Sequence, residues 1–208
     1  KSKGKHLITS AIEHHAVLHA MAQLEVEGFE VTYLPVDSDG LVHPEELEKA
    51  FRPDTTLVSI MMANNDIGTI QPGAELAKIT KAHGALFHTD AVQAIGSVAI
   101  DVKSLGVDML SLSGHKFHAP KGVGALYLKK GVKINPLMQG GAQERKQRPG
   151  TENIASIVGM GAAIEKAAAT IEARNAYLTP LRDRLIEGIL TGIPDVRLNG
   201  HPTKRLSN

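Results

Sequence analysis

The chain lacks cysteine and tryptophan, and aromatic residues are only 3% of its 208 residues. Without cysteine there is no disulfide framework, as is usual for a protein of the cytoplasm. The formal net charge is +1, which provides no attraction for nucleic acid or an anionic membrane surface. No secretory leader is visible, and no apolar run approaches the roughly 18 residues that span a bilayer. These absences predict a cytoplasmic protein with no nucleic-acid or membrane partner.

Strand and helix patterns alternate along the chain, which predicts an α/β fold with a mostly parallel sheet. Apolar runs predict the strands, and helical spacing of apolar residues predicts the helices. The predicted strands are His6–Thr9, Phe29–Leu34, Thr56–Met62, Ala85–His88, Val107–Ser111 and Val123–Leu128, with Val196–Leu198 starting a new sheet; the predicted helices are Ala16–Val26, a short one opening at His43, Ala74–Ala82 and Ile154–Leu190, the last broken near Pro180.

Chemically useful side chains follow several of these strands directly. Ligands in open α/β sheets bind beyond the carboxyl ends of the strands, so these residues are expected to converge. Each is weak evidence alone, but together they predict one site. The set comprises Asn64, Asn65, Asp66, Asp90, Gln93, Ser113, His115 and Lys116.

Lys116 and Asp90 suggest pyridoxal phosphate (PLP) chemistry. A lysine past one strand can form a Schiff base with the PLP aldehyde, and a carboxylate past another can keep the pyridine nitrogen protonated. Taken singly, Lys116 could be a solvated surface lysine and Asp90 a helix cap. The tetrad Ser113-Gly114-His115-Lys116, with Asp90 upstream, favours the PLP interpretation.

Other groups supply what a PLP site needs besides these two. Ser113 and His115, with amides freed by Gly114, can form a phosphate cup. Asn65 and Gln93 can hold the ring oxygen or a substrate carboxylate. One imidazole of Glu13-His14-His15 can stack on the pyridine ring and act as an acid or base, whereas a capping or exposed loop histidine would be likelier if His14 stood alone.

Two further patterns have competing interpretations. The loop from Gly140 to Thr151 is glycine-rich and basic, so it could contact phosphate or be a plain surface loop, and Thr151 stands where a helix N-cap is expected. His88, Asp90 and His115 could form a metal hydrolase cluster, but that interpretation gives Lys116 and Gln93 no role. We therefore predict no metal.

Several motifs together give a specific pattern, and the chain resembles the cysteine desulfurases, PLP enzymes of fold type I in the class V aminotransferase group. The resemblance runs from about His6 to the C-terminus. The motifs are Ile8-Thr9-Ser10 with Glu13-His14, Gly28 to Leu34, Met61 to Gly68, His88-Thr89-Asp90-Ala91-Val92-Gln93, Ser111 to Lys116, Pro120 to Tyr127, and Gly140-Gly141 through Gly150-Thr151. Asn64-Asn65-Asp66 stands where the family usually has Asn-Asn-Glu.

The resemblance implies a role for each candidate residue. Catalytic roles fall to Lys116, as the Schiff-base lysine, and to His14, as the ring-stacking proton carrier. The resemblance implies that the remaining cofactor contacts are Asn65 and Gln93 near the ring oxygen, Asp90 at the pyridinium, Ser113 and His115 at the phosphate, and Thr151 at the phosphate of a partner subunit. The last role implies a homodimer with shared active sites.

The resemblance also implies the reaction, in which L-cysteine becomes L-alanine and its sulfur passes to an enzyme cysteine and then to acceptor or scaffold proteins for iron–sulfur clusters. With no cysteine, and with no methionine at its start, the chain is expected to be an inactive fragment. Residues 1–165 are predicted to be part of the PLP-binding large domain, and 166–208 a linking helix and the start of a small C-terminal α/β domain. Other class V enzymes (selenocysteine lyase, kynureninase-like, aminotransferase) and a silent dimerisation or scaffold domain remain alternatives.

Overall fold

The computed structural model describes residues 4–208 and contains one six-stranded sheet. The strands lie in the order β2-β1-β3-β4-β5-β6, with the first five parallel and β6 antiparallel to β5. The predicted mostly parallel α/β fold is confirmed. The strands are β1 (His6–Ser10), β2 (Glu30–Leu34), β3 (Thr55–Ser59), β4 (Leu86–Asp90), β5 (Met109–Ser113) and β6 (Gly124–Leu128).

Helices connect the parallel strands, as parallel pairing requires. The connecting helices are α1 (His15–Val26), α2 (Pro44–Ala50), α3 (Gly73–Ala82) and α4 (Val102–Leu105). A 3-10 turn spans Gly114–Phe117, and the short turn α5 (Gln143–Lys146) and the long helix α6 (Ile154–Gly192) follow the last strand. Helix α2 begins with proline at its first position and two glutamates in its first turn, both favourable at a helix N-terminus.

The main core lies on one face of the sheet. Ile8, Val58 and Phe87 come from neighbouring strands and are almost completely buried against Leu47 of α2 and Leu76 of α3. Burial of each such side chain contributes about 1.5–3 kcal/mol relative to exposure. This packing fixes the sheet, and the sheet in turn fixes the positions of the loops that follow its strands.

The parallel strands end at one edge of the sheet. β1 ends at Ser10, β3 at Ser59, β4 at Asp90 and β5 at Ser113. The predicted strand Thr56–Met62 is shorter than expected, but the amides of Ile60 and Met62 still donate to the carbonyls of His88 and Asp90. The segment therefore continues along β4 towards the same edge.

Helix α6 differs from expectation in two ways. It runs through Pro180 without a break, although the sequence predicts one there. Its length and composition would also allow it to cross a membrane, because an 18-residue stretch of it has a mean hydropathy of 1.4 and none of that stretch is buried. The expectation that no apolar run is long enough to span a bilayer is therefore wrong. The helix contacts the 3-10 turn after β5, and Arg174 and Asn175 donate to the carbonyls of Gly96 and Ser97.

The predicted strand at Val196–Leu198 is wrong, because within residues 4–208 this segment pairs with no other strand. The chain instead packs back on the loop after β3, where the Ile70 amide donates to Lys204 O and the Leu206 amide to Gly68 O. The division at residue 165 stays a prediction. Residues 1–3 of the predicted large domain lie outside the described range, and α6 spans the predicted boundary at residue 165.

Phe87 and Leu86 are a matched pair for testing which face of the sheet carries the core, because adjacent residues of a strand face opposite sides. Phe87 is 1% exposed and Leu86 37% exposed. We expect Phe87→Ala to lower the free energy of unfolding by about 3–5 kcal/mol. Leu86→Ala should lower it by about 1.5 kcal/mol or less, because no enclosed cavity forms. Denaturant titration measures both free energies of unfolding. Equal losses of stability in the two variants would contradict the assignment of the core to the face that carries Phe87.

Candidate active site

A cavity of about 450 Å³ lies at the carboxyl edge of the sheet. Eight residues were given catalytic or cofactor roles above, and all of them except Thr151 line this cavity. The seven residues come from four separate segments of the chain. These residues are His14, Asn65, Asp90, Gln93, Ser113, His115 and Lys116, and the apolar part of the wall is Ala16, Met61, Ala63 and Val92. The structure therefore brings the set together, while the individual roles remain predictions.

His14 is held at the start of α1. It is the N-cap residue, and its ring nitrogen Nδ1 accepts a hydrogen bond of 3.1 Å from the Ala16 amide. The ring is exposed at the cavity. The capping interpretation is confirmed and the imidazole also borders the cavity, while its stacking on a pyridine ring and its proton transfer stay predictions.

Asp90 is the last residue of β4 and only 8% exposed. Its Oδ1 accepts a 2.9 Å hydrogen bond from the Val92 amide. The side chain also borders the cavity. A buried carboxylate is costly without a partner, so a cationic group placed in the cavity would stabilise it.

Lys116 lies in the 3-10 turn that follows β5, and its side chain is exposed. The turn starts at Gly114, where an added Cβ would lie 3.0 Å from Val123 O, so a side chain there would push the turn from β6. Ser113 Oγ and His115 Nδ1 are 2.8 Å apart and hydrogen-bonded. The serine and histidine predicted for phosphate therefore hold each other beside the lysine.

The loop after β3 is fixed by Asn64, which sequence analysis gave no role of its own. Its Oδ1 accepts from the amides of Asp66 and Ile67, and its Nδ2 donates to Ile12 O at 2.9 Å. The neighbouring Asn65 donates to Asp66 Oδ1 at 2.9 Å and faces the cavity. Aspartate in place of the family's glutamate thus still contacts Asn65.

Glu13 also lacked a predicted role, and it is the most deeply buried acid at this edge, at 5% exposure. Its Oε1 accepts from Ser10 Oγ at 2.6 Å and from the Met61 amide at 2.8 Å, while Oε2 is buried and has no hydrogen-bond partner among residues 4–208. Burial, reinforced by the Asp90 charge, raises the pKa of Glu13 to about 7. Its position directly before His14 was the only available sequence signal.

Thr151 is the predicted site residue that the cavity does not include. It lies on an exposed stretch that also contains the turn α5. The N-cap expected at Thr151 is instead Asn153, whose side chain accepts from the Ser156 amide at 3.2 Å. The N-cap of α6 is thus two residues further along the chain than predicted, so Thr151 does not cap this helix.

Two other features of the described residues are weaker candidates for a functional site than this cavity. A larger groove of about 570 Å³ lies near the start of α3, but it contains no lysine or histidine. Within residues 4–208, no group of three or more histidine, aspartate or glutamate side chains could hold a metal ion. His88 belonged to the metal cluster considered from the sequence, but both of its ring nitrogens are hydrogen-bonded to serine hydroxyls instead.

Comparison with known proteins identifies the architecture. The family model for class-V aminotransferases matches residues 1–208. The chain belongs to this family. A cysteine desulfurase IscS from Methanosarcina thermophila is 65% identical over the whole chain and 51% of its own length. The class-V match confirms the resemblance read from the motifs.

Solved structures of the class-V type share the fold. A NifS-like protein has a TM-score of 0.89 and 47% identity, covering 92% of this chain and 53% of its own. A structure titled SspA in complex with cysteine has a TM-score of 0.76 and 46% identity, covering 79% and 48%. The predicted fold type I large-domain architecture is confirmed, and the chain spans about half the length of the relatives it matches.

PLP is the cofactor of this class-V family, and the cavity residues fit it. The buried Asp90 carboxylate suits a protonated pyridine nitrogen, and the Lys116 amine suits an aldehyde. Apolar walls from Ala16, Ala63 and Val92 suit the faces of an aromatic ring. Lys116, Asp90, His14, Ser113 and His115 are therefore the residues that would hold the cofactor.

His88 links three strands beneath this edge, with Nδ1 2.8 Å from Ser59 Oγ and Nε2 2.8 Å from Ser111 Oγ. Burial lowers the pKa of His88, partly offset by the Asp90 charge. The unfolded chain therefore binds a proton more readily, and the free energy of unfolding falls as the pH drops below about 6.5.

We expect His88→Gln to reduce this loss of stability on acidification, because glutamine does not titrate. The measurement is denaturant unfolding at several pH values between 5 and 7.5. His19→Gln, at an exposed position on α1, is the matched control and should keep the wild-type slope. A wild-type slope in His88→Gln would contradict the interpretation.

Proposed function

We propose that this chain is the cofactor-binding part of a PLP-dependent cysteine desulfurase, which converts L-cysteine to L-alanine and passes the sulfur to an enzyme cysteine as a persulfide. The observation that carries the proposal is one cavity lined by Lys116, Asp90 and His14 in a chain 65% identical to a cysteine desulfurase. The similar structure titled as a complex with cysteine supports the substrate class.

The residues of the chain divide the work by their chemistry. When bound, PLP supplies an aldehyde that reacts with amines and a protonated ring that accepts electrons. Lys116 offers the amine that anchors the cofactor and can carry a proton to and from the substrate carbon. Asp90 keeps a negative charge at the ring nitrogen. His14, at the cavity and with Nδ1 engaged by the Ala16 amide, can exchange a proton through its other nitrogen.

The remaining polar residues orient the bound molecules. Ser113 Oγ and His115 Nδ1 are hydrogen-bonded to each other, and, depending on the histidine tautomer, either the serine hydroxyl or the His115 Nε2–H can donate to the phosphate. Asn65 and Gln93 offer neutral amides that suit the ring oxygen or the substrate carboxylate. Apolar neighbours, including Met61 and Val92, limit water around the ring.

The sulfur-accepting thiol must come from outside these 208 residues, because they contain no cysteine. That observation favours one second candidate, a domain that binds PLP but transfers no sulfur and serves in dimerisation or as a scaffold. The two candidates differ in the whole protein, where a desulfurase forms persulfide and releases alanine. The scaffold does neither.

We further propose a cytoplasmic homodimer that delivers sulfur to acceptor or scaffold proteins for iron–sulfur clusters. Thr151 supports the dimer, because it is exposed and lies apart from the cavity of its own chain, as a residue lent to a partner's phosphate site should. Sedimentation with and without PLP tests the dimer. A monomer that binds PLP with full affinity would contradict it.

Borohydride trapping tests the cofactor site on this chain. PLP is added, the adduct is reduced, and the labelled peptide is mapped by mass spectrometry. We expect the label on Lys116 and its loss in Lys116→Ala. Lys121→Ala, at an exposed lysine outside the cavity, is the matched control and should leave the label unchanged.

The same substitution tests the reaction in the whole protein. We expect Lys116→Ala to lower alanine release from cysteine by about 10³-fold or more, because both the anchor and the proton carrier are lost. Unchanged turnover would refute the assignment of Lys116. A trapped label without alanine release in the wild-type whole protein would favour the scaffold.

A further inference from the structure

Glu13 is buried at the cavity edge and has no role in the chemistry described above. Its side chain connects two elements, the end of β1 through Ser10 and the segment after β3 through the Met61 amide. Its backbone continues directly into His14, the N-cap of α1. Met61 and His14 both line the cavity. Glu13 thus lies behind two cavity residues without itself lining the cavity.

The hydrogen bonds of Glu13 use only one of its two oxygens. Oε1 accepts both the Ser10 hydroxyl and the Met61 amide, whereas Oε2 is buried and has no partner among the described residues. An ionised carboxylate with one unpaired buried oxygen is costly, and a neutral carboxyl group costs much less. The geometry therefore suits the protonated acid.

The charges around Glu13 act in the same direction. The group whose charge acts on it is Asp90, from the end of β4, and the groups that contact it from β1 and from the segment after β3 are uncharged. Burial and Asp90 raise the pKa of Glu13 to about 7, against the opposing effect of its two hydrogen bonds. Near neutral pH the acid is therefore close to its midpoint.

We propose that Glu13 is a positioning residue: as a neutral acid it fixes the turn that carries His14 to the segment that carries Met61, and so sets the place of the His14 imidazole in the cofactor cavity. Ionisation places a charge on a buried carboxylate with one unpaired oxygen and adds repulsion from Asp90. These two penalties exceed the gain from its two hydrogen bonds and favour displacement of the carboxylate from its buried position, which releases the anchor. The inference rests on the proposed cofactor site and extends it by one residue.

Two substitutions separate the anchor from the charge. Glu13→Gln keeps the oxygen that accepts from Ser10 and Met61 and resembles the neutral acid, whereas Glu13→Ala removes the anchor. At pH 6 we expect Glu13→Gln to bind PLP within about threefold of wild type and Glu13→Ala to bind about tenfold or more weakly. His19→Ala, on the exposed face of α1, is the control and should match wild type.

The pH dependence provides a readout that a general loss of stability would not reproduce. Between pH 6 and 8.5 the affinity of wild type for PLP should fall about tenfold relative to Glu13→Gln, because only wild type can ionise at this position. A constant ratio would overturn the inference, as would Glu13→Gln binding as weakly as Glu13→Ala. If Glu13→Ala does not fold, the glutamine comparison still decides.

A measurement without cofactor separates this inference from the proposed function. The ring signals of His14 in NMR spectra at pH 6 should move in Glu13→Ala and stay in place in Glu13→Gln. Unmoved signals in both variants would overturn the inference even if Lys116 binds PLP. Conversely, absence of PLP label in wild type would refute the proposed function, while the His14 signals would still report on Glu13.

Discussion

Parallel pairing of β1, β3, β4 and β5 is the constraint on which the rest of the structure depends. Strands that run the same way end at the same edge, so each delivers its following residues to one region of space. This is why His14, after β1, and Lys116, after β5, share a cavity although they are distant in sequence. The antiparallel β6 then returns the chain along β5, and the Val123 carbonyl, just before β6, would lie 3.0 Å from a Cβ added at Gly114, which favours glycine there.

A site at the end of buried strands places polar groups where water is scarce, and burial of a charged group there costs free energy. The chain lowers this free-energy cost in the same way at two positions. His88 has a lowered pKa and two serine partners, and Glu13 has a raised pKa and two donors on one oxygen. Both shifts favour the neutral form, because burial penalises charge. The buried groups His88 and Glu13 near Asp90 thus carry less charge than exposed groups of the same type would.

Local pattern predicted the six strands, the helices α1, α2, α3 and α6, and seven of the cavity residues, because each of these depends on a short stretch and on the rule that sites follow strand ends. The short helices α4 and α5 were not predicted. Local pattern also failed where a distant partner decides. Val196–Leu198 has strand-like residues but no strand beside it, and α6 continues through Pro180 despite the local preference for a break. Glu13 could not be assigned from sequence, because its partner is the Met61 amide, 48 positions away.

The chain separates two requirements that a desulfurase must meet together. Holding PLP needs a lysine, a carboxylate and phosphate donors in fixed geometry, and strand ends of one rigid sheet provide that. Accepting sulfur needs a thiol, which these 208 residues lack entirely. Under the proposed function, the cofactor site and the sulfur acceptor would therefore belong to different segments or to different proteins. A thiol could then approach the cavity without displacing the groups that would fix the cofactor, because none of those groups would have to move with it.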